Sequence, residues 1–130
     1  MNDILVPISP GELLDKITIL RIKCARIDDA AKLANVRLEL SRLELSRRGS
    51  VPDDADVAAE EAALERVNSE LWEIEDRIRE HESQRRFDAA FIELARCVYR
   101  RNDERAAIKR RINLKLASSL VEEKSYRRYD

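Results

Sequence analysis

The sequence predicts an all-α protein, an elongated antiparallel helical bundle or hairpin with short extended segments at both ends. Three observations predict it. Gly and Pro together number only five in 130 residues, too few for the turns of a sandwich. Hydrophobic residues make up 44% of the chain and recur at spacings of three and four. Two of these periodic stretches run for nearly 30 residues, so as helices each is about 45 Å long. A compact domain of this size has a radius of gyration of only about 14 Å.

Each element can be justified in order. Residues 4–8 (Ile-Leu-Val-Pro-Ile) are β-prone, but Pro7 cannot donate to a ladder, so they read as an edge strand or an extended arm. Ser9-Pro10-Gly11-Glu12 then starts a helix, with Ser9 as N-cap, Pro10 as first helical residue and Glu12 as reciprocal partner of a capping box. The first helix, residues 10–27, carries a seam of Leu13, Ile17, Leu20, Cys24 and Ile27. Asp28-Asp29 caps a second helix over residues 30–48, with Leu33, Val36, Leu40 and Leu43 on one face. Gly49 suits the position just past its end, and Pro52 with Asp53 or Asp54 restarts the chain as a third helix.

That third helix, residues 54–82, has Val57, Leu64, Leu71 and Ile78 seven apart, with Val67 and Ile74 on the alternate seam. The spacing favours near-antiparallel packing against a partner helix. Asp88 caps a fourth helix that runs to about residue 117 through Leu94, Val98, Ile108, Ile112 and Leu116. Asn102-Asp103 in its middle offers a second cap that would split it in two. Residues 120–126 are extended in character and are expected beside the 4–8 arm, within one protomer or between two. The expected organisation is a single helical domain over residues 1–130. Two short helices cannot cover both long apolar stripes, so self-association is expected, with a dimer favoured.

Charge and composition narrow the function classes. The 25 Lys and Arg nearly balance the 26 Asp and Glu, which announces neither a nucleic acid nor a membrane. The first half is acidic and the second basic, so the halves can neutralise each other. Eight cations lie between Arg96 and Lys115, but they scatter around the helical wheel and do not form one stripe. No apolar run approaches a membrane span and no signal peptide is visible, which makes the cytoplasm the expected location. Cys24 and Cys97 form no metal-ligand or redox spacing. Neither a metal nor a cofactor is expected.

A few residues are candidates for chemistry. Arg105 falls on the apolar stripe of the fourth helix, where a guanidinium needs an anion because an unpaired buried charge is costly. Its partner is either a ligand or a carboxylate of the acidic half, with Asp15 and Glu12 first and Glu122 or Glu123 next. Glu12, Lys16 and Lys23 share a face of the first helix with Asp15 alongside. These residues, together with Asn102, Asp103, Arg105, Lys109, Asn113 and Glu123, form a candidate ligand-binding set for an anionic compound, phosphorylated ones included. Glu12-x-x-Asp15 alone is weak ground for a metal. Glu60-Glu61 and Glu73-x-x-Asp76 superficially resemble the carboxylates of all-α nucleotide pyrophosphohydrolases. Here they sit on one helix, about 18 Å apart along its axis, too far to share a metal. His81, the only histidine, reads as a boundary residue near a helix end. Two function classes follow: a helical interaction or scaffold module, or a small-ligand protein or enzyme using the Arg- and Lys-lined set.

Certain residues also carry a resemblance. At the front they are Val6-Pro7-Ile8-Ser9, Gly11-Glu12-Leu13, Asp15-Lys16 and Thr18-Ile19-Leu20. Later come Leu71-Trp72, Phe91-Ile92, Asn102-Asp103, Arg105, Lys109 and Ile112-Asn113, and the end has Val121-Glu122-Glu123-Lys124-Ser125-Tyr126. In these the chain resembles a small bacterial domain family that is itself uncharacterised. The resemblance covers nearly the whole chain and brings no activity. It implies that polar groups at both ends and in mid-helix belong to one pattern.

Overall fold

The computed structural model describes residues 1–129 and is all-helical among them. Four helices follow in order: α1 (Pro10–Arg26), α2 (Ala30–Ser50), α3 (Ala55–Ser83) and α4 (Ala89–Lys115). α3 and α4 form an antiparallel hairpin. Its direction is fixed by cross-helix pairs in reverse order: Glu60 with Arg111, Arg66 with Glu104, Glu70 with Arg101, and His81 against Phe91. α3 has 29 residues, so the hairpin is about 44 Å long. α1 packs on all three other helices, antiparallel to α4, whereas α2 turns back after a short connection and packs on α1.

The core lies at the α1 end of the hairpin. Leu13, Leu14 and Ile17 of α1 meet Val57, Leu64 and Val67 of α3 and Ile108 and Ile112 of α4. Burying a side chain such as Leu14 or Ile17 is worth about 1.5–3 kcal/mol. Towards the α3–α4 turn the same heptad continues as Leu71, Ile74 and Ile78, but these are only half-buried. α2 has no fully buried residue; Leu40 and Leu43 cover the core from outside. The expected single seam on α1 is incomplete, because Leu14, Asp15, Thr18 and Ile22 are buried as well. A helix with three neighbours buries more than one stripe.

The helix starts follow the sequence closely. Ser9 Oγ accepts from the Glu12 amide, Asp54 from Asp56 and Val57, and Asp88 from Phe91. Asp29 occupies the N-cap position of α2 but makes no side-chain cap bond. The helix ends differ from expectation. Gly49 is not a C-terminal stop: it lies inside α2, with no positive φ. The stops that do use left-handed backbone are Arg85 and Ala117, both at φ 51°. In each case the following amide closes a wide turn, Arg86 to the His81 carbonyl and Ser118 to the Asn113 carbonyl, both at 2.9 Å. α4 runs unbroken through Asn102, which decides between the two alternatives the sequence left open there: no second cap forms. The helix supplies its own backbone bonds there, and the exposed Asn-Asp side chains lie on the side of α4 that faces the C-terminal tail.

The two chain ends carry no strand among the described residues, and no backbone ladder joins them. They nevertheless lie together. Pro7, Ile8 and Ser9 face Leu120, Val121 and Glu122 across a small cleft of about 300 Å³ at the start of α1. Each end is tied to a helix and not to the other end: Asp3 of the arm pairs with Arg42 of α2, and Glu122 and Glu123 of the tail pair with Lys109 and Arg110 of α4.

Candidate functional site

The first turn of α1 docks on the last turns of α4, and the residues between them explain why. Pro10 has no amide to satisfy. The Gly11 amide donates to Asn113 Oδ1 at 2.8 Å, the Glu12 amide to Ser9 Oγ at 3.1 Å, and the Leu13 amide to the Ser9 carbonyl at 3.0 Å. The orphan donors of the helix start are therefore all used. Gly11 is required for this approach: a Cβ there would stand 2.6 Å from the Lys109 carbonyl oxygen and 2.9 Å from Asn113 Oδ1. Asn113, a candidate ligand residue from the sequence, is instead a buried cap for another helix.

One turn further on lies Asp15, at 1% exposure. Its carboxylate receives a two-pronged grip from Arg105 Nε and Nη2, and Oδ1 also accepts from Asn68 Nδ2 at 2.9 Å. Asn68 donates as well to Thr18 Oγ1, which in turn donates to the Asp15 carbonyl. Lys109 Nζ stands 3.8 Å from the same carboxylate, 2.7 Å from Glu12 and 3.0 Å from Glu122. Glu12 does not close a capping box. It turns to Lys109, with Lys16 at 3.7 Å on its exposed side, because a buried ammonium needs it more than the Ser9 amide does.

The electrostatics follow from these contacts. The hydrogen bond to Asp15 raises the Arg105 pKa further above its usual range. For Lys109, burial pulls the pKa down, but the carboxylates of Glu12, Glu122 and Asp15 outweigh burial and the net shift is upward. Glu122, held by Lys124 and then Lys109, is pushed down to about 2. All three groups are thus charged across the physiological range.

Arg105 and Lys109 also form one wall of an open cleft of about 1140 Å³ between α4 and the C-terminal tail. From α4 come Tyr99, Asn102, Asp103 and Arg105, over a floor that includes Val98 and Ala106. From the tail come Glu122, Lys124, Tyr126, Arg127, Arg128 and Tyr129. Of the residues proposed from sequence, Glu12, Asn102, Asp103, Arg105 and Lys109 line this cleft, with Asp15 buried behind them. Lys16 stays at the exposed edge on Glu12, and Lys23 takes no part in the lining. Glu123 points away from the cleft to Arg110, at 3.3 Å. Three of the four carboxylates singled out on α3 are separately engaged, Glu60 by Arg111, Glu61 by Arg47 and Glu73 by Arg26.

Sequence reasoning missed three features of the site. Asn68, a polar residue next to the Val67 seam position, anchors Asp15. The alternate partner Glu122 sits on Lys109 rather than on Arg105. The tyrosines carried the clearest unread signal: the chain has three, and all of them line the cleft.

Residues 4–129 match the sequence pattern of DUF6165, a family of unknown function. The chain belongs to this family. The match runs from the front arm to the tail, so it takes in every DUF6165 element that builds the cleft. No curated protein and no solved structure matches the chain. Among the described residues of this DUF6165 chain, no helix is long and apolar enough to cross a membrane.

Proposed function

We propose that this protein binds a small anionic, phosphorylated compound in the cleft between α4 and the C-terminal tail. One observation carries the reading: Arg105, Lys109, Lys124, Arg127 and Arg128, from two separate parts of the chain, converge on a single open cleft. The inner cations are neutralised by residues of the chain itself, Arg105 by Asp15 and Lys109 by Glu12 and Glu122. Asp15 is buried and fixed, whereas Glu122 belongs to the exposed tail. A ligand's acidic group therefore enters by replacing Glu122 against Lys109 and Lys124. Titration calorimetry with inorganic pyrophosphate tests this. Glu122→Gln should bind pyrophosphate several-fold more tightly than the unaltered chain, and Lys124→Ala more weakly. Absence of pyrophosphate binding to both the unaltered chain and Glu122→Gln would overturn it.

A second reading, a homodimeric interaction module, is favoured by the turn end of the hairpin. There Phe87 and Ile92 are more than half exposed, and Ile78 and Leu94 are only half-buried. Light scattering should then find a dimer that Ile92→Asp dissociates without unfolding. A 15 kDa species at every concentration would remove this reading.

A further inference from the structure

We infer that the ligand of the cleft is a nucleoside diphosphate, its base resting on the tyrosines and its diphosphate on the Arg105, Lys109 and Lys124 end. The inference rests on the anion-binding reading above and adds the ring to it. Tyr99, Tyr126 and Tyr129 are all exposed, yet all line one cleft. Tyr99 and Tyr129 already pack against each other, with ring centroids 4.9 Å apart, and Lys124 stands 5.7 Å from the Tyr126 ring centre. Aromatic faces displayed beside a basic groove are the platform on which bases stack, and they accept any base because every base has a π face. The other large aromatics, Phe87, Phe91 and Trp72, lie outside this cleft.

The spacing along α4 sets the shape of the ligand. From Tyr99 to Arg105 the helix rises about 9 Å, and from Tyr99 to Lys109 about 15 Å. The ring and the acidic group are therefore joined by a spacer the size of a ribose, not held on one small ring. Between the two ends, Asn102 and Asp103 line the cleft with polar side chains that are exposed and make no ion pair or side-chain hydrogen bond among the described residues. An amide and a carboxylate at that point offer both donors and acceptors to base edges or sugar hydroxyls.

The need for more than one phosphate comes from Glu122. This carboxylate is tethered to the site it occupies, so its effective concentration is high. A singly charged group would displace it poorly. A diphosphate brings several charge-assisted hydrogen bonds to Lys109, Lys124 and the outward side of Arg105 at once.

Calorimetry of the full chain with four probes tests this: ADP, UDP, inorganic pyrophosphate and glucose 1-phosphate. Both nucleotides should bind about tenfold more tightly than pyrophosphate, the increment expected from one stacked base. In Tyr99→Ala that preference should fall towards unity, whereas Tyr99→Phe should keep it. Circular dichroism of the variants confirms that they remain folded. If pyrophosphate binds and the nucleotides bind no better, the ring inference fails and the anion site stands. A nucleotide preference unaffected by Tyr99→Ala, or tighter binding of glucose 1-phosphate, would likewise overturn the inference. If no probe binds, both readings fall together.

Discussion

Leu64 and Val67 have no solvent exposure, whereas Leu71, Ile74 and Ile78, set on the same heptad of the same helix, are only half-buried. The difference is the third helix. At one end of the hairpin α1 fills the groove between α3 and α4. α1 ends at Arg26, which pairs with Glu73. Leu71 still packs against the edge of the core there, but beyond that level, at Ile78, two helices face each other alone and cover only part of each seam. Polar groups divide in the same way. Near α1, Asp15 is buried because Arg105, Asn68 and Lys109 surround it. Near the turn, Glu93 takes Arg96 and Arg100 on an exposed surface, where such pairs are worth about 1 kcal/mol or less. An identical seam pattern thus yields a specified core at one end and an under-covered surface at the other.

The largest expected effect tests the polar half of this comparison. Arg105→Met leaves the buried Asp15 carboxylate with Asn68 and a distant Lys109, and should cost about 3–5 kcal/mol in denaturant unfolding. Adding Asp15→Asn should restore part of that loss. Arg100→Met at the turn end should change stability by no more than about 0.5 kcal/mol. Equal effects at the two ends would break the comparison.

A smaller contrast tests the apolar half. Leu64→Ala removes a side chain with no exposure and should cost about 3 kcal/mol. Ile78→Ala, with one side open to solvent, should cost about 1 kcal/mol in the same assay. A loss at Ile78 as large as that at Leu64 would mean that a partner covers the turn end in solution, and it would sharpen the dimer reading.

The smallest expected effect concerns the tail. The ordinary carboxylate value near 4.5 is lowered to about 2 for Glu122 by Lys124 and Lys109. A lowered pKa in the folded state means that the stabilising contribution is complete above 4.5 and is lost as pH falls towards about 2. The tail should therefore loosen in that acidic window, seen as faster amide exchange at residues 120–126. Glu122→Gln should show the loosened tail already at neutral pH. A tail in Glu122→Gln that stays as protected as in the unaltered chain would show that apolar contacts, not this ion pair, hold it.

Much of the fold was legible because it depends on neighbours in sequence. Three-four spacing, Ser9 with Pro10, Asp54 and Asp88 act within one or two turns, and all of them act as expected. Arg105 was legible for a related reason: a cation on an apolar stripe demands an anion, and the oppositely charged half of the chain offered Asp15. The helix stops were less legible. Arg85 and Ala117 adopt left-handed backbone that their side chains disfavour, and backbone bonds that close the turns around them accompany it. Gly49, the residue that should have stopped a helix, lies in one, with open space around it.

What sequence alone determined, then, is the set of helices, their starts and the requirement that Arg105 be paired. Tertiary structure alone decided that Gly11 must lack a side chain, that Asn113 and Asn68 serve another helix, and that Glu122 rather than Glu123 reaches Lys109. It also decided that the three tyrosines share one cleft. Gly11 and Asn113 are 102 residues apart, and Asp15 and Arg105 are 90 apart. No local periodicity records such a separation. The meeting of those residues is set by how closely α1 approaches α4 and by where the tail leaves the end of α4. Both are consequences of packing three helices around one core.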